Sequence, residues 1–190
     1  MDMLIHWDAM LFRLINEGMS NVLFDALLPW CREKWFWAPL YLFIAVFSWA
    51  NFGRRGWLVV LGMLLCVALS DVSSSRLIKK NVRRIRPCNA PEMAAHLHLR
   101  TDCGSGYSFT SSHAANHFAI AIFLMGVLGP LPRWVRPALW WWAGSIAFSQ
   151  VYVGVHYPGD VVCGALLGFT IGSLLAFVYK IRGWTAAIEG

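Results

Sequence analysis

The sequence is poor in charge. Of its 190 residues, 14% are Asp, Glu, Lys or Arg, against roughly 25% in an average soluble domain. Acidic side chains are the scarcest, 10 against 16 Lys and Arg, which leaves a net charge of +6. There is no internal repeat and no low-complexity tract. The first residues lack the basic start and clean apolar stretch of a cleaved signal peptide. No His, Cys, Asp and Glu stand at the spacing of a metal site. His96 and His98 are two apart with Asp102 and Cys103 behind them, and a zinc site needs a second pair. Together these absences exclude a disordered chain, a coiled coil and almost any ordinary soluble enzyme. Nucleic acid is not an expected partner of so apolar a chain, whereas its basic excess suits a phosphate-bearing or anionic lipid partner.

What fills the sequence instead is apolar. Hydrophobic residues make up 58%, with 11 Trp and 12 Phe, rings suited to the lipid–water interface. Five stretches approach the ~20 residues that cross a ~30 Å hydrocarbon core. They run from about 35 to 52, from 57 toward Lys79, from 113 to 128 closed by Gly129-Pro130, from 134 to 153, and from 160 to 179. The second is apolar to Leu69 and then turns polar through Asp71 and Ser73–Ser75. The fifth spaces Gly164, Gly168 and Gly172 by four, which lets helices pack closely in lipid. Residues 1–34 mix Leu11, Phe12, Leu14 and Ile15 with Asp8, Arg13, Glu17 and Asp25, the pattern of amphipathic helices lying in the interface. The pattern predicts an all-α, polytopic membrane helical bundle of about five transmembrane spans with an amphipathic interfacial N-terminus. It forms one domain, 1–190, with interfacial helices in 1–34 and a transmembrane core in 35–190 that carries a long polar loop, 79–112. A loop that long is usually functional.

Five spans alternate the loops between two faces. One face receives Arg54, Arg55, Arg133, Arg136, Lys180 and Arg182 in short loops without an acidic residue. The positive-inside rule places that face in the cytoplasm and the long loop outside it, in a bacterial periplasm. The opposite orientation would follow if the basic cluster of residues 79–86 dominated.

Three clusters fall on the outer face. The first is Lys79-Lys80-Asn81-Val82-Arg83-Arg84-Ile85-Arg86-Pro87. On a continuing helix Lys79, Arg83 and Arg86 share a face until Pro87 stops it, and Arg and Lys together suit a phosphate dianion. The alternative is a basic patch that holds anionic headgroups. The second cluster, Thr110-Ser111-Ser112-His113, opens an apolar helix. One hydroxyl there caps the helix, and a helix N-terminus also receives anions. The third contains Ser149, Gln150, His156 and Asp160. Asp160 lies four residues after His156, placed to fix its tautomer and leave the other nitrogen free to attack, or simply to cap the last helix. Two His, one Asp, several cations and a helix N-terminus are the parts of phosphoryl transfer through a phosphohistidine.

These residues resemble the type 2 phosphatidic acid phosphatase superfamily, integral-membrane relatives of the vanadium haloperoxidases, over about residues 76–168. The family's motif Lys-x6-Arg-Pro is met in full by Lys79 to Pro87. Its Pro-Ser-Gly-His is matched in Ser111 and His113, with Thr110 and Ser112 at the other two places. Its Ser-Arg-x5-His-x3-Asp is matched in Ser149, His156 and Asp160, with Gln150 where the Arg belongs. The resemblance implies His156 as nucleophile, Asp160 as its orienting partner and His113 as general acid. It implies phosphate binding by Lys79, Arg86, Ser111 and the main-chain N–H of Ser112, with no metal or cofactor. Gln150 would donate only neutral hydrogen bonds, a loss on the order of 1.5–3 kcal/mol relative to a charged donor. Arg83 is the nearest candidate to compensate.

The function expected is a lipid phosphatase acting on undecaprenyl diphosphate, a lipid A phosphate, phosphatidylglycerol phosphate or phosphatidic acid. A phosphotransferase with the same site is the first alternative, and a lipid-binding or transport protein with an impaired site is the second. A loop facing an oxidising compartment would allow a disulfide between Cys88 and Cys103, worth roughly 3 kcal/mol by chain entropy. Cys31, Cys66 and Cys163 would remain free and pack as small apolar groups.

Overall fold

So little charge leaves the backbone polar groups to satisfy one another within each segment. The computed structural model describes residues 2–129 and 131–185, and every regular element among them is a helix. Two short helices come first. α1 (Asp2–Arg13) runs into a wide π turn over Leu14–Gly18, and α2 (Val22–Cys31) is capped by Asn21, whose side chain accepts the Phe24 N–H. The apolar helices follow. They are α3 (Ala38–Phe52), α4 (Arg54–Asp71) continued by a π segment Val72–Ile78 and one α turn, α5 (Lys79–Val82), then α6 (Ser112–Val127), α7 (Val135–Tyr152) and α8 (Pro158–Ile181). Each of the five expected spans has a helix at its place. Two, Arg54–Val82 and Pro158–Ile181, are long and apolar enough to cross a membrane by length and composition. Pro130, expected to close the third span, lies outside the described residues.

The centre of the bundle is the pair α6 and α8. A Cβ on Gly164, Gly168 or Gly172 would run into the main-chain carbonyls of Ser111, Ala115 and Ala119. The glycine row therefore lets two backbones touch, as its spacing predicts. On the far side of α6, Phe123 packs over Gly62 of α4 and meets Tyr179 edge-on, ring centroids 4.9 Å apart. Val59, Cys66, Ala143 and Ile146 complete this core. The outside of the bundle is as apolar as the inside. Leu42, Phe43, Leu64, Trp141, Leu166 and Phe177 are all exposed, a surface that suits lipid rather than water.

The N-terminal helices are amphipathic, as the residue pattern predicts, with Met3, Leu4, Trp7 and Leu11 exposed. Their inner side does more than rest on the surface. Phe12 is fully buried and packs on Tyr157, ring centroids 5.5 Å apart, and Leu28 packs with Tyr152, Val153 and Val155. One local expectation is overturned. The helix that begins as α4 does not carry Arg86, because it ends at Val82. Arg83 turns left-handed, φ 53°, and its N–H closes on the Lys79 carbonyl at 3.1 Å. This left-handed cap satisfies a terminal carbonyl and redirects the chain, so Lys79, Arg83 and Arg86 share no helical face.

Candidate active site

The π segment is the first device that builds the site. A π turn is wider than an α turn and often marks a functional position. Here it brings Ser74 and Ser75 to the start of α6. Ser74 Oγ lies 2.9 Å from Ser112 Oγ and donates to the Thr110 carbonyl at 3.2 Å, while Ser75 Oγ lies 3.3 Å from Ser112 Oγ. This accounts for serine where the related motif has glycine: the added hydroxyl is a tie between α6 and the π segment. Ser111 is the N-cap of α6, its Oγ accepting the Ala114 N–H at 3.4 Å, and its own N–H donates to the Asp160 carbonyl at 3.0 Å. The starts of α6 and α8 are thereby locked side by side, with His113 in the first turn of α6.

His156 sits in the tight connection between α7 and α8. Its N–H and that of Val155 both donate to the main-chain carbonyl of Gln150, at 3.2 Å each. The two ring nitrogens have different neighbours. Nδ1 is 3.4 Å from Ser108 Oγ and 3.5 Å from Asp160 Oδ2, and the Ser108 hydroxyl donates to that same carboxylate oxygen. Nε2 faces Arg86 Nη1 at 3.2 Å. The arrangement is an imidazole steadied through one nitrogen by a hydroxyl and a carboxylate, with a guanidinium at the other. Burial pushes the pKa of His156 down to about 4, and the Asp160 hydrogen bond offsets this only in part. The ring is therefore neutral near pH 7, the state a nitrogen nucleophile requires.

Asp160 is fully buried and holds four partners in all. Oδ2 also accepts the Tyr157 N–H at 2.9 Å, and Oδ1 accepts Arg84 Nη1 at 2.8 Å. Arg84 in turn donates to Asp8 Oδ2 at 2.6 Å and lies 4.0 Å over the Tyr157 ring. Asp8 Oδ1 accepts the Gly159 N–H at 2.7 Å. Burial works against the charge of Arg84, but Asp160 and Asp8 more than offset it and raise its pKa. A relay of contacts thus runs from α1 to His156: Asp8, Arg84, Asp160, His156.

The expected site residues fall into three sets. Arg86, His156, Asp160, Ser111 and Ser112 are brought together by the contacts above, and Lys79 and His113 lie within electrostatic reach of them. Gln150 comes close only through its backbone. Its side chain is fully buried and neither amide atom has a hydrogen-bond partner. Arg83 stays out, exposed, with Nε donating to the Lys80 carbonyl at 3.0 Å, so it does not compensate for Gln150. Cys88 and Cys103 are joined in a disulfide, Cα atoms 5.9 Å apart, and Cys31, Cys66 and Cys163 are free. Three residues of the site escaped the sequence reading. Ser108 stands among other loop serines with no distinguishing spacing. Arg84 was one cation of five in its cluster, and Asp8 lies 76 residues before its partner. Among the described residues no three His, Cys, Asp or Glu group into a metal site.

The family model of the PAP2 superfamily matches residues 55–184, which contain every residue of this cluster except Asp8. The chain belongs to the PAP2 superfamily. Similar curated proteins span nearly all of it. The lipid A 4'-phosphatase of Bacteroides thetaiotaomicron is 32% identical over 87% of this chain and 74% of its own length. Phosphatidylglycerophosphatase B of Bacillus subtilis is 32% identical over 93% of this chain and 86% of its own. Among solved structures, Aquifex aeolicus LpxE superposes with a TM-score of 0.71 at 27% identity, covering 90% of this chain and 94% of that one. The transmembrane PAP2 phosphatidylglycerolphosphate phosphatase of Bacillus subtilis gives 0.66 at 25% identity, covering 96% and 87%. Both superpositions cover a larger share of this chain than the residues 55–184 that the family model matches.

Proposed function

We propose that this PAP2 protein hydrolyses a membrane lipid phosphate through a phosphohistidine on His156. Membership of the family makes the chain a membrane lipid phosphatase, a phosphoric monoester hydrolase acting on lipids. The observation that carries the mechanism is the two-sided setting of His156, Nδ1 toward Ser108 and Asp160, Nε2 toward Arg86. In the first step Nε2 attacks phosphorus, the bond from phosphorus to the lipid oxygen breaks, and His113 gives its proton to that departing oxygen. In the second, water attacks phosphorus, His113 takes a proton from that water, the bond from phosphorus to Nε2 breaks with its electron pair returning to His156, and inorganic phosphate leaves. Lys79, Arg86, Ser111 and the Ser112 N–H neutralise the phosphate oxygens, where the transition-state charge spreads. Ser108 and Asp160 stabilise the positive charge that His156 gains.

The same reading has five helices spanning a bacterial inner membrane, with the site at the periplasmic face. The short basic loops on the opposite face and the Cys88–Cys103 disulfide in the site loop support this orientation. The assay is phosphate release from a panel drawn from the relatives: a lipid A phosphate, phosphatidylglycerol phosphate, undecaprenyl diphosphate and phosphatidic acid. At least one should be cleaved by the wild type, without loss on chelation, and none by His156→Ala. Equal release by the variant would remove His156 from the chemistry.

A further inference from the structure

By the pattern of its family the phosphate site is one cation short, because Gln150 replaces an arginine and its amide is buried without a partner. A different cation, from the N-terminal segment, stands in the wall of a cavity that Ser112 and His113 also line. Arg32 is the C-cap of α2. With Ser112 and His113 it lines a cavity of about 750 Å3 whose walls are otherwise mostly apolar, among them Met63, Leu64 and Ile120. One guanidinium nitrogen is tied to Thr101 Oγ1 in the site loop, and Nε is buried with no hydrogen-bond partner. Among the described residues Arg32 forms no ion pair. Lys34 and Asp71 line the same cavity, and Arg32 presents to it a half-buried guanidinium with one donor still empty, a group that an anionic ligand would satisfy.

We propose that Arg32 replaces the missing arginine of the third motif, donating to the substrate's phosphate oxygens from the connector after α2 instead of from α7. The proposal rests on the phosphatase reading above and adds a substrate-binding residue to it. Two further observations agree. Burial lowers the pKa of Arg86, Asp160 raises it, and Arg32 lowers it again, so the two guanidinium charges lie within electrostatic reach. Burial also lowers that of Arg32, and Glu33 and Asp102 work against this without forming an ion pair. With Arg32, Ser112 and His113 in the cavity wall, and Arg86 and Lys79 within electrostatic reach of Arg32 or His113, a phosphate held there would leave its lipid tail along the apolar wall.

The test uses full-length protein in detergent, with the best substrate of the panel and orthovanadate as the phosphate-like probe. Arg32→Gln should lower kcat/KM about ten- to a hundred-fold and weaken orthovanadate inhibition in step, the loss expected for one charged hydrogen bond. Thr101→Val cuts the tie but keeps the charge, and should retain activity within about threefold. Two results overturn the proposal: unchanged orthovanadate inhibition in Arg32→Gln, or a loss in Thr101→Val equal to that in Arg32→Gln, which would make Arg32 a mere clamp on the loop. If Arg32→Gln does not fold, Arg32→Lys decides. Orthovanadate inhibition weakened several-fold by loss of the guanidinium fork supports the role, and unchanged inhibition ends it. A wild type that cleaves no lipid phosphate defeats the phosphatase reading itself, whereas an active wild type indifferent to position 32 defeats only this proposal.

Discussion

The two ends of this site are held by opposite kinds of force. On one side, α6 and α8 meet through Gly164, Gly168 and Gly172 with backbones in contact, an interface of close packing to which the Ser111 N–H bond to the Asp160 carbonyl is added at its start. On the other, α1, α2 and the site loop add to the packing of Phe12 and Leu28 a network of hydrogen bonds. Asp8 takes Arg84 and the Gly159 N–H. Asn16 donates to the carbonyls of Tyr152 and His98, at 2.7 and 2.9 Å, and accepts the His98 N–H at 2.8 Å. Arg100 reaches Asn16, Ser20, Asp25 and the face of Tyr152. Close packing of α6 on α8, with the Ser111–Asp160 main-chain bond at their starts, sets His113 in the first turn of α6 beside the connection into α8 that carries His156. Polar bonds fix what surrounds them, the Arg84 relay and Arg32. The first kind of interface tolerates almost no added volume. The second yields to loss of a single charge.

The sharpest way to break the contrast is to add volume to the packed side. Gly168→Leu drives a side chain into the Ala115 carbonyl and the Ala119 backbone, and overpacking of this kind costs about 3 kcal/mol at the upper end of its usual range. Monodisperse protein should be lost on size-exclusion chromatography, with activity lost alongside it. A leucine variant that elutes and works like the wild type would mean the helices are free to separate.

Next comes the covalent exception on the polar side. The Cys88–Cys103 bond closes a loop with a sequence separation of 15, which stabilises the fold by roughly 3 kcal/mol in the chain-entropy account. The Cys88→Ser, Cys103→Ser double variant should melt several degrees lower and remain folded, because α6 and α8 do not depend on the loop. Alkylation followed by intact-mass measurement, before and after reduction, checks the bond. Two freely alkylated thiols in protein purified without reductant would remove it, and with it a main support for the outward-facing site.

How much of this was legible beforehand depends on which force is at work. The packed side announces itself: glycines every fourth residue, apolar runs of helical length, and three motifs whose residues must meet to do chemistry. The polar side does not. Asp8 and Arg84 lie 76 residues apart, and nothing in the spacing around Arg84 separates it from Arg83. Only the left-handed turn at Arg83 decides that Arg84 points inward and Arg83 outward. Composition showed the N-terminal segment as amphipathic and stopped there, because amphipathicity reports which face is apolar and not what the polar face holds. Ser112 stands where the related motif has glycine, and its reason lies in Ser74, on a π turn that no residue pattern predicts.

A smaller effect tests the relay. Asp8→Asn keeps the shape and removes the charge opposite Arg84, so Arg84 is left with Asp160 alone and Asp160 is less well fixed. The expected result is a fall in kcat of about tenfold, the worth of roughly one charged hydrogen bond, with KM within about twofold because Asp8 does not touch the phosphate. Asp8→Glu should recover part of it. A fall in thermal midpoint with kcat unchanged would make α1 a structural strap and no part of the relay.

The smallest effect is one of pH, and it separates His156 from everything around it. Its pKa, about 4 in the folded protein, lies below the unfolded value of 6.5. Between these values the unfolded chain binds more protons than the folded one, so stability rises with pH across that window. It is fully present above about pH 6.5 and is lost progressively as pH falls toward 4. From pH 7.5 to 6 the contribution of this one residue amounts to about 1 kcal/mol. Thermal midpoints of the wild type and of His156→Asn, measured in detergent at both values, should therefore differ in slope, the wild type falling more steeply. The comparison of slopes cancels any uniform destabilisation by the substitution and any titration elsewhere in the chain. Parallel slopes would mean that His156 takes up its proton as readily in the folded protein as in the unfolded chain. Its ring would then be open to water rather than sealed between α7, α8 and the site loop.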